Sequence, residues 1–148
     1  MTVPAWIISI ADNLSVAVGE FELVHILPDL PVLIGIPQTP HYCQQVFVWQ
    51  HKIVPVMDMV TRFAVMPSNT TPTVAIFAYR TKAGLVEYGA LLLTTMPRRV
   101  EVDNEQACAL PEDLQIWQPY TRCCFQEAGH KVIPILNIER LFAAQEAN

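Results

Sequence analysis

The chain contains nearly the same phrase twice. "HKIVPVMDMVTRF" covers residues 51–63, and "HKVIPILNIERLF" covers residues 130–142. His, Lys, Pro and the final Phe recur in place, while the other apolar positions exchange Ile, Val, Leu and Met. In each copy a run of β-branched residues reaches Asp58 or Asn137, and both residue types cap helices. The repeat therefore predicts two similar β units, each closed by a strand, an Asx cap and a short helix.

The rest of the sequence favours strands. It contains 12 prolines, and its short apolar runs are bounded by Pro, Asn, Asp or Gly, which is typical of sandwiches and barrels. Hairpin turns are predicted at residues 12–13, 50–52, 82–84 and 128–130. Only residues 58–63 and 137–147 have a helical pattern, and the polar residues 66–73 predict a loop or a boundary between two halves.

Length and charge narrow the class of protein. At 148 residues we expect one domain, residues 1–148, or two small halves with a shared core. The net charge of −5 argues against nucleic acid as a ligand, and no apolar run approaches the length of a membrane span. With no pattern of a signal peptide, we expect a cytoplasmic protein without direct membrane insertion. The 52% apolar content suggests that some apolar surface meets a partner.

Candidate catalytic and metal-binding residues lack supporting motifs. The chain has only 5 glycines, with no phosphate loop and no nucleophile elbow, so we expect no enzyme, no cofactor and no metal. Two alternatives stay open: a thiol or histidine active site, and a zinc site that begins at His41 and Cys43. Exposed turn histidines and buried core cysteines are the simpler interpretation. The residues concerned are His25, His41, His51, His130, Cys43, Cys123 and Cys124.

Two further features have a structural and a binding interpretation. Arg98 and Arg99 form a basic pair that suits either a solvated strand edge or a contact with an acidic partner. Trp49 lies beside a polar turn, where an indole serves either core packing or a protein interface.

Four stretches together resemble the chemotaxis coupling-protein family (CheW-like domains). They are "WIISIADNLSVAVGEFELVHIL", "TPHYCQQVFVWQHKIVPVMDMVTRF", "ALLLTTMPRRVEV" and "GHKVIPILNIERLF". They occur in the order and spacing of the family over essentially the whole chain. The resemblance implies a mainly β fold of two packed five-stranded SH3-like β-barrels with a short C-terminal helix. It also implies a non-enzymatic adaptor that docks onto the regulatory domain of a chemotaxis-type histidine kinase and grips the cytoplasmic tip of a receptor between its barrels.

The sequence departs from the family pattern at the surface that the resemblance assigns to the receptor. The family's Asn-Leu-Arg-Gly turn is here residues 48–51, with Gln50 in place of Arg, and a family Glu is replaced by His25. A glycine before the turn is Gln45, and the family's Gly-Leu-hydrophobic-Val-Asp, placed in the second barrel, is residues 90–94. We therefore expect partner binding through one face, formed by Leu23, His25, Gln45, Trp49 and Gln50.

Three functions follow from these observations. The first is an adaptor between chemoreceptors and a histidine kinase, accessory in a pilus-linked (twitching motility) chemosensory system. The second is an orphan CheW-like binding module for a different regulatory partner, which the missing Arg and Glu favour. The third is a metal- or thiol-dependent enzyme that uses the His and Cys residues.

Overall fold

The computed structural model describes residues 2–11, 14–63, 72–127, 129 and 131–143. These residues form twelve strands, two α-helices and two 3-10 helices. The strands are β1 (Thr2–Ala11), β2 (Leu14–Gly19), β3 (Leu23–Leu27), β4 (Ile34–Gly35), β5 (Gln45–Trp49), β6 (Lys52–Met57), β7 (Thr73–Arg80), β8 (Val86–Leu93), β9 (Arg98–Asp103), β10 (Ala107–Cys108), β11 (Thr121–Gln126) and β12 (Val132–Leu136). The helices are α1 (Met59–Phe63), α2 (Ile138–Ala143) and the 3-10 helices Asn104–Gln106 and Glu112–Tyr120.

The strands form two six-stranded sheets. The first sheet has the order β3-β7-β8-β6-β5-β4, and the second sheet has the order β10-β11-β12-β2-β1-β9. The predicted mainly β, two-barrel architecture is confirmed. Each described sheet has six strands where five were expected, because a strand of only two residues, β4 or β10, adds to one edge.

The two sheets do not divide the chain at the predicted boundary. The β1–β2 hairpin belongs to the second sheet, where β12 runs parallel to β2 with Ile135 opposite Ala17. Strands β7 and β8 complete the first sheet, so the interpretation of residues 66–73 as the boundary between halves is wrong. Placing residues 90–94 in the second barrel is wrong for the same reason, because β8 pairs with β6 and β7. Residues 64–71 themselves lie outside the described residues.

Both copies of the repeated phrase fold as a strand, a cap and a helix. Asp58 precedes α1 and accepts hydrogen bonds from the backbone N–H of Thr61 at 3.2 Å and from its hydroxyl at 2.7 Å. Asn137 precedes α2 and accepts the backbone N–H of Arg140 at 3.1 Å. These bonds satisfy donors that the first turn of a helix leaves unpaired. The prediction of two Asx-capped units is therefore confirmed. In the second copy α2 is described to Ala143, and the rest of the predicted helix, residues 144–147, lies outside the described residues.

The turn predictions have mixed outcomes. The turn of the β5–β6 hairpin is Gln50-His51, because Trp49 pairs with Lys52. Residues 12–13 lie outside the described part of the chain, as do two of the three residues predicted for the turn at 128–130. The 3-10 helix Glu112–Tyr120 was missed, since it has no 3.6-residue apolar period and contains Pro119. It is held by tertiary packing, because its Trp117 is buried and stacks on Phe63 with ring centroids 4.1 Å apart.

Apolar residues on both faces of the central strands build three packed clusters. Successive residues of a strand point to opposite faces, so a strand covered on both sides is apolar throughout. In β7, Val74 and Ile76 face one cluster, while Ala75 and Phe77 face another. The first-sheet cluster is Phe47, Val54, Val56, Val74, Ile76 and Ala90, and the second-sheet cluster is Ile7, Ala17, Phe125 and Ile133. The central cluster takes residues from both sheets and both α-helices, including Ile8, Val16, Val18, Met57, Phe63, Phe77, Leu91, Leu136, Leu141 and Phe142.

Candidate functional site

The first sheet curls until its edges meet at His25 and Trp49. His25 lies on β3 at one end of the strand order, and Trp49 lies on β5 near the other end. Their ring centroids are nevertheless 5.9 Å apart, with an interplanar angle of 30°. Such a contact requires strong coiling of the sheet, as in a small barrel. Two of the five predicted binding residues are thus brought together by the fold.

Tyr88 extends this contact into a three-ring group, which we call the aromatic cluster (His25, Trp49 and Tyr88). The Trp49 and Tyr88 rings meet edge to face at 5.6 Å, and the Lys52 ammonium lies 5.3 Å from the Tyr88 centroid. Trp49 is half-buried and packs against the first-sheet cluster, while His25 is exposed. The core-packing interpretation of Trp49 is thus supported for part of the indole, and the rest of the ring is exposed; its role at a protein interface stays a prediction.

A β-bulge separates Leu23 from His25. Leu23 lies opposite Phe77, but His25 lies opposite Ile76, so the intervening step contains one extra residue on β3. Phe77 belongs to the central cluster and Ile76 to the first-sheet cluster, and Leu23 packs against the former. Leu23 and His25 therefore face opposite sides of the sheet, although their spacing of two predicts a shared face.

Gln45 and Gln50 lie at opposite ends of β5. Gln45 is its first residue, exposed and paired with Val56, while Gln50 is exposed in the turn beyond its last residue. A strand rises about 3.4 Å per residue, so about 17 Å separates them along the strand. Gln45 lines an open cleft with His41, Tyr42 and Asp58. The five predicted residues hence do not form one compact patch.

The sequence reasoning missed a groove between the two sheets, which we call the inter-sheet groove. Its first-sheet side includes Tyr79, Arg80 and Val86, and its second-sheet side includes Arg122 of β11, with Glu139 of α2. Phe21 and Glu22 line it from the β2–β3 connection, and the Phe21 side chain is 89% exposed. The signal was an unexplained apolar residue beside an acid in the turn after Gly19. An apolar lining with charges of both signs at its rim suits an amphipathic helix.

Glu22 holds the connection at the groove in place. Its Oε1 accepts the backbone N–H of Gly19 at 2.9 Å, and its carbonyl accepts the N–H of Ala78 at 2.9 Å. Burial raises the pKa of the Glu22 carboxyl, and the Gly19 N–H and the positive charge of Arg122 oppose that rise. The groove therefore contains a carboxyl group whose charged form is disfavoured by its burial.

A second missed surface is the outer apolar face, defined by Ile34, Val48 and Ile53 with Val46 and Pro55. Val48 and Ile53 are direct cross-strand partners and are 62% and 72% exposed, and Ile34 pairs with Val46. The interior of the same strands is filled by Phe47, Val54 and Val56. The uninterrupted run "VFVW" followed by "KIVPV" was the available signal, since apolar residues on both faces indicate that both faces are covered.

The candidate catalytic and zinc residues are not assembled in the described residues. No three His, Cys, Asp or Glu side chains there are placed to hold a metal ion, and His130 lies outside that part of the chain. Burial raises the pKa of the Cys43 thiol, and it raises that of Cys124 to about 11. An activated thiol needs the opposite shift. Arg98 and Arg99 satisfy their charge within the chain, on Glu127 at 2.9 Å and on Glu20 at 3.0 Å, as expected for a solvated strand edge.

The helices of the described residues are all too short or too polar to cross a membrane. The family model for the CheW-like domain matches residues 7–146. Among solved structures, the scaffolding protein TtCheW from Thermoanaerobacter tengcongensis superimposes with a TM-score of 0.78 at 18% sequence identity, covering 96% of this chain and 88% of that one. A sequence comparison with curated proteins finds no match. The structural likeness is one of fold.

Proposed function

The chain belongs to the CheW-like domain family, and from that premise we propose that it is a non-enzymatic signalling adaptor that couples chemoreceptors to a chemotaxis-type histidine kinase. In this proposal residues 1–148 act in the cytoplasm as a single domain of two β-barrel halves, without cofactor or metal. The observation that carries the proposal is the inter-sheet groove, which is lined from both sheets and has an exposed Phe21 at its edge.

The groove is proposed to receive the helical cytoplasmic tip of a receptor. A helix that docks in a groove buries an apolar stripe and leaves charges at the rim. Phe21 and Val86 supply apolar area, while Arg80, Arg122 and Glu139 supply charges of both signs. Leu23 and His25 follow on β3, the strand that begins beside the groove, while Gln45, Trp49 and Gln50 lie along β5 and its turn. These five are the proposed partner-binding residues outside the lining of the groove.

The outer apolar face is proposed to dock the regulatory domain of the kinase. Val48, Ile53 and Ile34 expose 62%, 72% and 47% of their surfaces on adjacent strands. Burying such area is favourable by about 25 cal/mol per Å², and it suits a partner that presents a similar barrel surface. The receptor tip would then occupy the inter-sheet groove, and the kinase domain would cover the outer apolar face of the first sheet.

A pilus-linked (twitching motility) chemosensory system is the finer proposal for the pathway. Its support is the altered charge at the aromatic cluster. His25 and Gln50 stand where the family pattern has Glu and Arg, and the His25 ring here contacts the Trp49 ring at a tilt of 30°. A receptor for this adaptor would need a less charged tip.

Two surface variants test the adaptor proposal, and each is the control for the other. Phe21→Glu alters the groove and Ile53→Glu alters the outer apolar face, both at residues whose side chains are mostly exposed. Affinities are measured by calorimetric titration with the receptor hairpin fragment and with the kinase regulatory domain of the same organism. Phe21→Glu should weaken receptor binding about tenfold or more, and Ile53→Glu should weaken kinase-domain binding by a similar factor. Binding of neither ligand by the unaltered chain would refute the adaptor role.

The second candidate is an orphan binding module for a different regulatory partner, and the same altered charges favour it. The double variant His25→Glu with Gln50→Arg restores the family residues. If receptor affinity is undetectable in both the original chain and the double variant, the orphan role is preferred. If the double variant binds the receptor more tightly than the original chain, the adaptor role is preferred, and His25 and Gln50 set its receptor affinity.

A further inference from the structure

Cys108 and Cys124 are direct partners across two strands at the edge of the second sheet. Cys108 lies on β10, Cys124 lies on β11, and the register pairs them with each other. Directly opposite residues of an antiparallel pair share a face, with Cβ atoms about 4.5–5.5 Å apart. A disulfide needs a Cβ separation of about 3.5–4.5 Å. A small approach of β10, which has only two residues, closes that difference.

We propose that Cys108 and Cys124 are a reversible oxidation site that forms a cross-strand disulfide with a hydroperoxide as oxidant. The Cys108 sulfur attacks one peroxide oxygen, the O–O bond breaks, and the leaving oxygen departs as water or alcohol with a thiol proton. The sulfenic acid on Cys108 is then attacked by the Cys124 sulfur. The S–S bond forms, and the hydroxyl leaves as water with the Cys124 proton. Two thiols lose two electrons in total, and the peroxide gains them.

The other two cysteines, Cys43 and Cys123, are not placed to form this disulfide. Cys123 is exposed, but as the adjacent residue of β11 it faces the opposite side of the sheet from Cys124. Cys43 is buried beside the first sheet, before β5. Cys108 is more accessible than the buried Cys124, so it is the thiol that meets the peroxide first.

The bond would close a loop around the 3-10 helix Glu112–Tyr120. That helix contributes Trp117 to the central cluster, where it stacks on Phe63 of α1. Closing residues 108–124 into a ring restricts the unfolded chain and stabilises the packed state. Oxidation would thus stabilise the packed state in which Trp117 stacks on Phe63.

Burial also sets the pH dependence of the closing step. Burial raises the pKa of Cys124 to about 11, with the neighbouring Cys108 and Cys123 as smaller causes. Because the thiolate is the attacking form, ring closure should accelerate as pH rises from 7 to 9.

The test treats the reduced chain with hydrogen peroxide and maps its cysteines by peptide mass spectrometry, with thermal unfolding measured with and without dithiothreitol. We expect a linkage between Cys108 and Cys124 in the original chain and in Cys123→Ser, and a Tm higher by about 5–10 °C that dithiothreitol reverses. Cys108→Ser should show neither change. Oxidation of Cys123 alone, disulfide-linked dimers with free Cys108 and Cys124, or an equal rise in Tm in Cys108→Ser would overturn the proposal.

Discussion

The Arg62 guanidinium donates a 2.8 Å hydrogen bond to the carbonyl oxygen of Leu141, and these two residues occupy the same position in the two repeated phrases. The equivalent caps are also held alike, since the N–H of Asp58 donates to the Tyr42 carbonyl at 2.7 Å and that of Asn137 to the Tyr120 carbonyl at 2.8 Å. Arg62 lies over both tyrosine rings, 4.7 and 4.6 Å from their centroids. The repeat therefore brings its two copies into contact, and one side chain joins them.

Arg62→Met should lower the free energy of unfolding by about 2–4 kcal/mol. The change removes a hydrogen bond from a charged donor, and with it three cation–π contacts, to Tyr42, Phe63 and Tyr120. Urea unfolding measures the effect. Arg98→Met is the matched control, because the Arg98 side chain is 58% exposed and its ion pair with Glu127 should be worth less than about 1 kcal/mol. Equal losses in the two variants would show that Arg62 does not join the copies.

Gly89→Ala should destabilise the protein by about 1–3 kcal/mol. Gly89 of β8 is buried against the ring of Phe142, and an added Cβ would overlap that ring. Phe142 in turn stacks on Tyr79 at 5.6 Å with an interplanar angle of 4°, so it has little room to retreat. The control is Gly35→Ala, where an added Cβ meets nothing within 4 Å. Chemical denaturation of both variants checks the prediction. Replacing the Phe142 ring with a smaller side chain, in the double variant Gly89→Ala with Phe142→Leu, should make the Gly89→Ala change less costly than it is beside Phe142.

His51→Gly should stabilise the β5–β6 hairpin by about 0.5–1 kcal/mol. Gln50 and His51 have φ values of 48° and 62°, which is the left-handed region that a two-residue type I′ turn requires. A side chain there is strained by about 1–2 kcal/mol, and the greater freedom of glycine in the unfolded chain offsets part of the gain. Lys52→Gly, one residue later in β6, should instead be destabilising. A lower midpoint of thermal unfolding in His51→Gly would count against this turn geometry.

Glu22 should make stability fall with rising pH over one window. Its folded pKa is raised above the ordinary value of 4.5 by burial, so the folded state binds more protons than the unfolded state between 4.5 and the folded pKa. The stabilisation is fully present below that window and is lost as pH rises through it. Glu22→Gln, which can still accept the Gly19 N–H, should lack this slope. Denaturation at several pH values between 4 and 7 compares the two chains, and parallel curves would contradict the assignment.

The parts of the fold that the sequence predicted are local ones. In both phrases the strand, the Asx cap and the helix follow from residues close together in the sequence. Asp58 caps α1 by accepting the N–H of Thr61, and Asn137 caps α2 by accepting the N–H of Arg140. The resemblance to the CheW-like family also rested on short stretches in order, and it predicted the two-barrel fold. The resemblance placed His25 and Trp49 on one face, but local sequence could not predict their ring contact. That contact joins the first strand of the sheet order, β3, to the last but one, β5, and it depends on how strongly the sheet coils.

By itself, the sequence determined that the chain is mainly β, that two equivalent capped units close it, and where its apolar alternation lies. Only the tertiary structure decided which sheet each strand joins. The β1–β2 hairpin pairs with β12 through Ile135 and Ala17, far away along the chain, and one extra residue in β3 turns Leu23 away from His25. The physical reason is that hydrogen bonding and alternation specify a strand from its own residues, whereas its neighbour and register depend on the summed burial of residues distant in the chain.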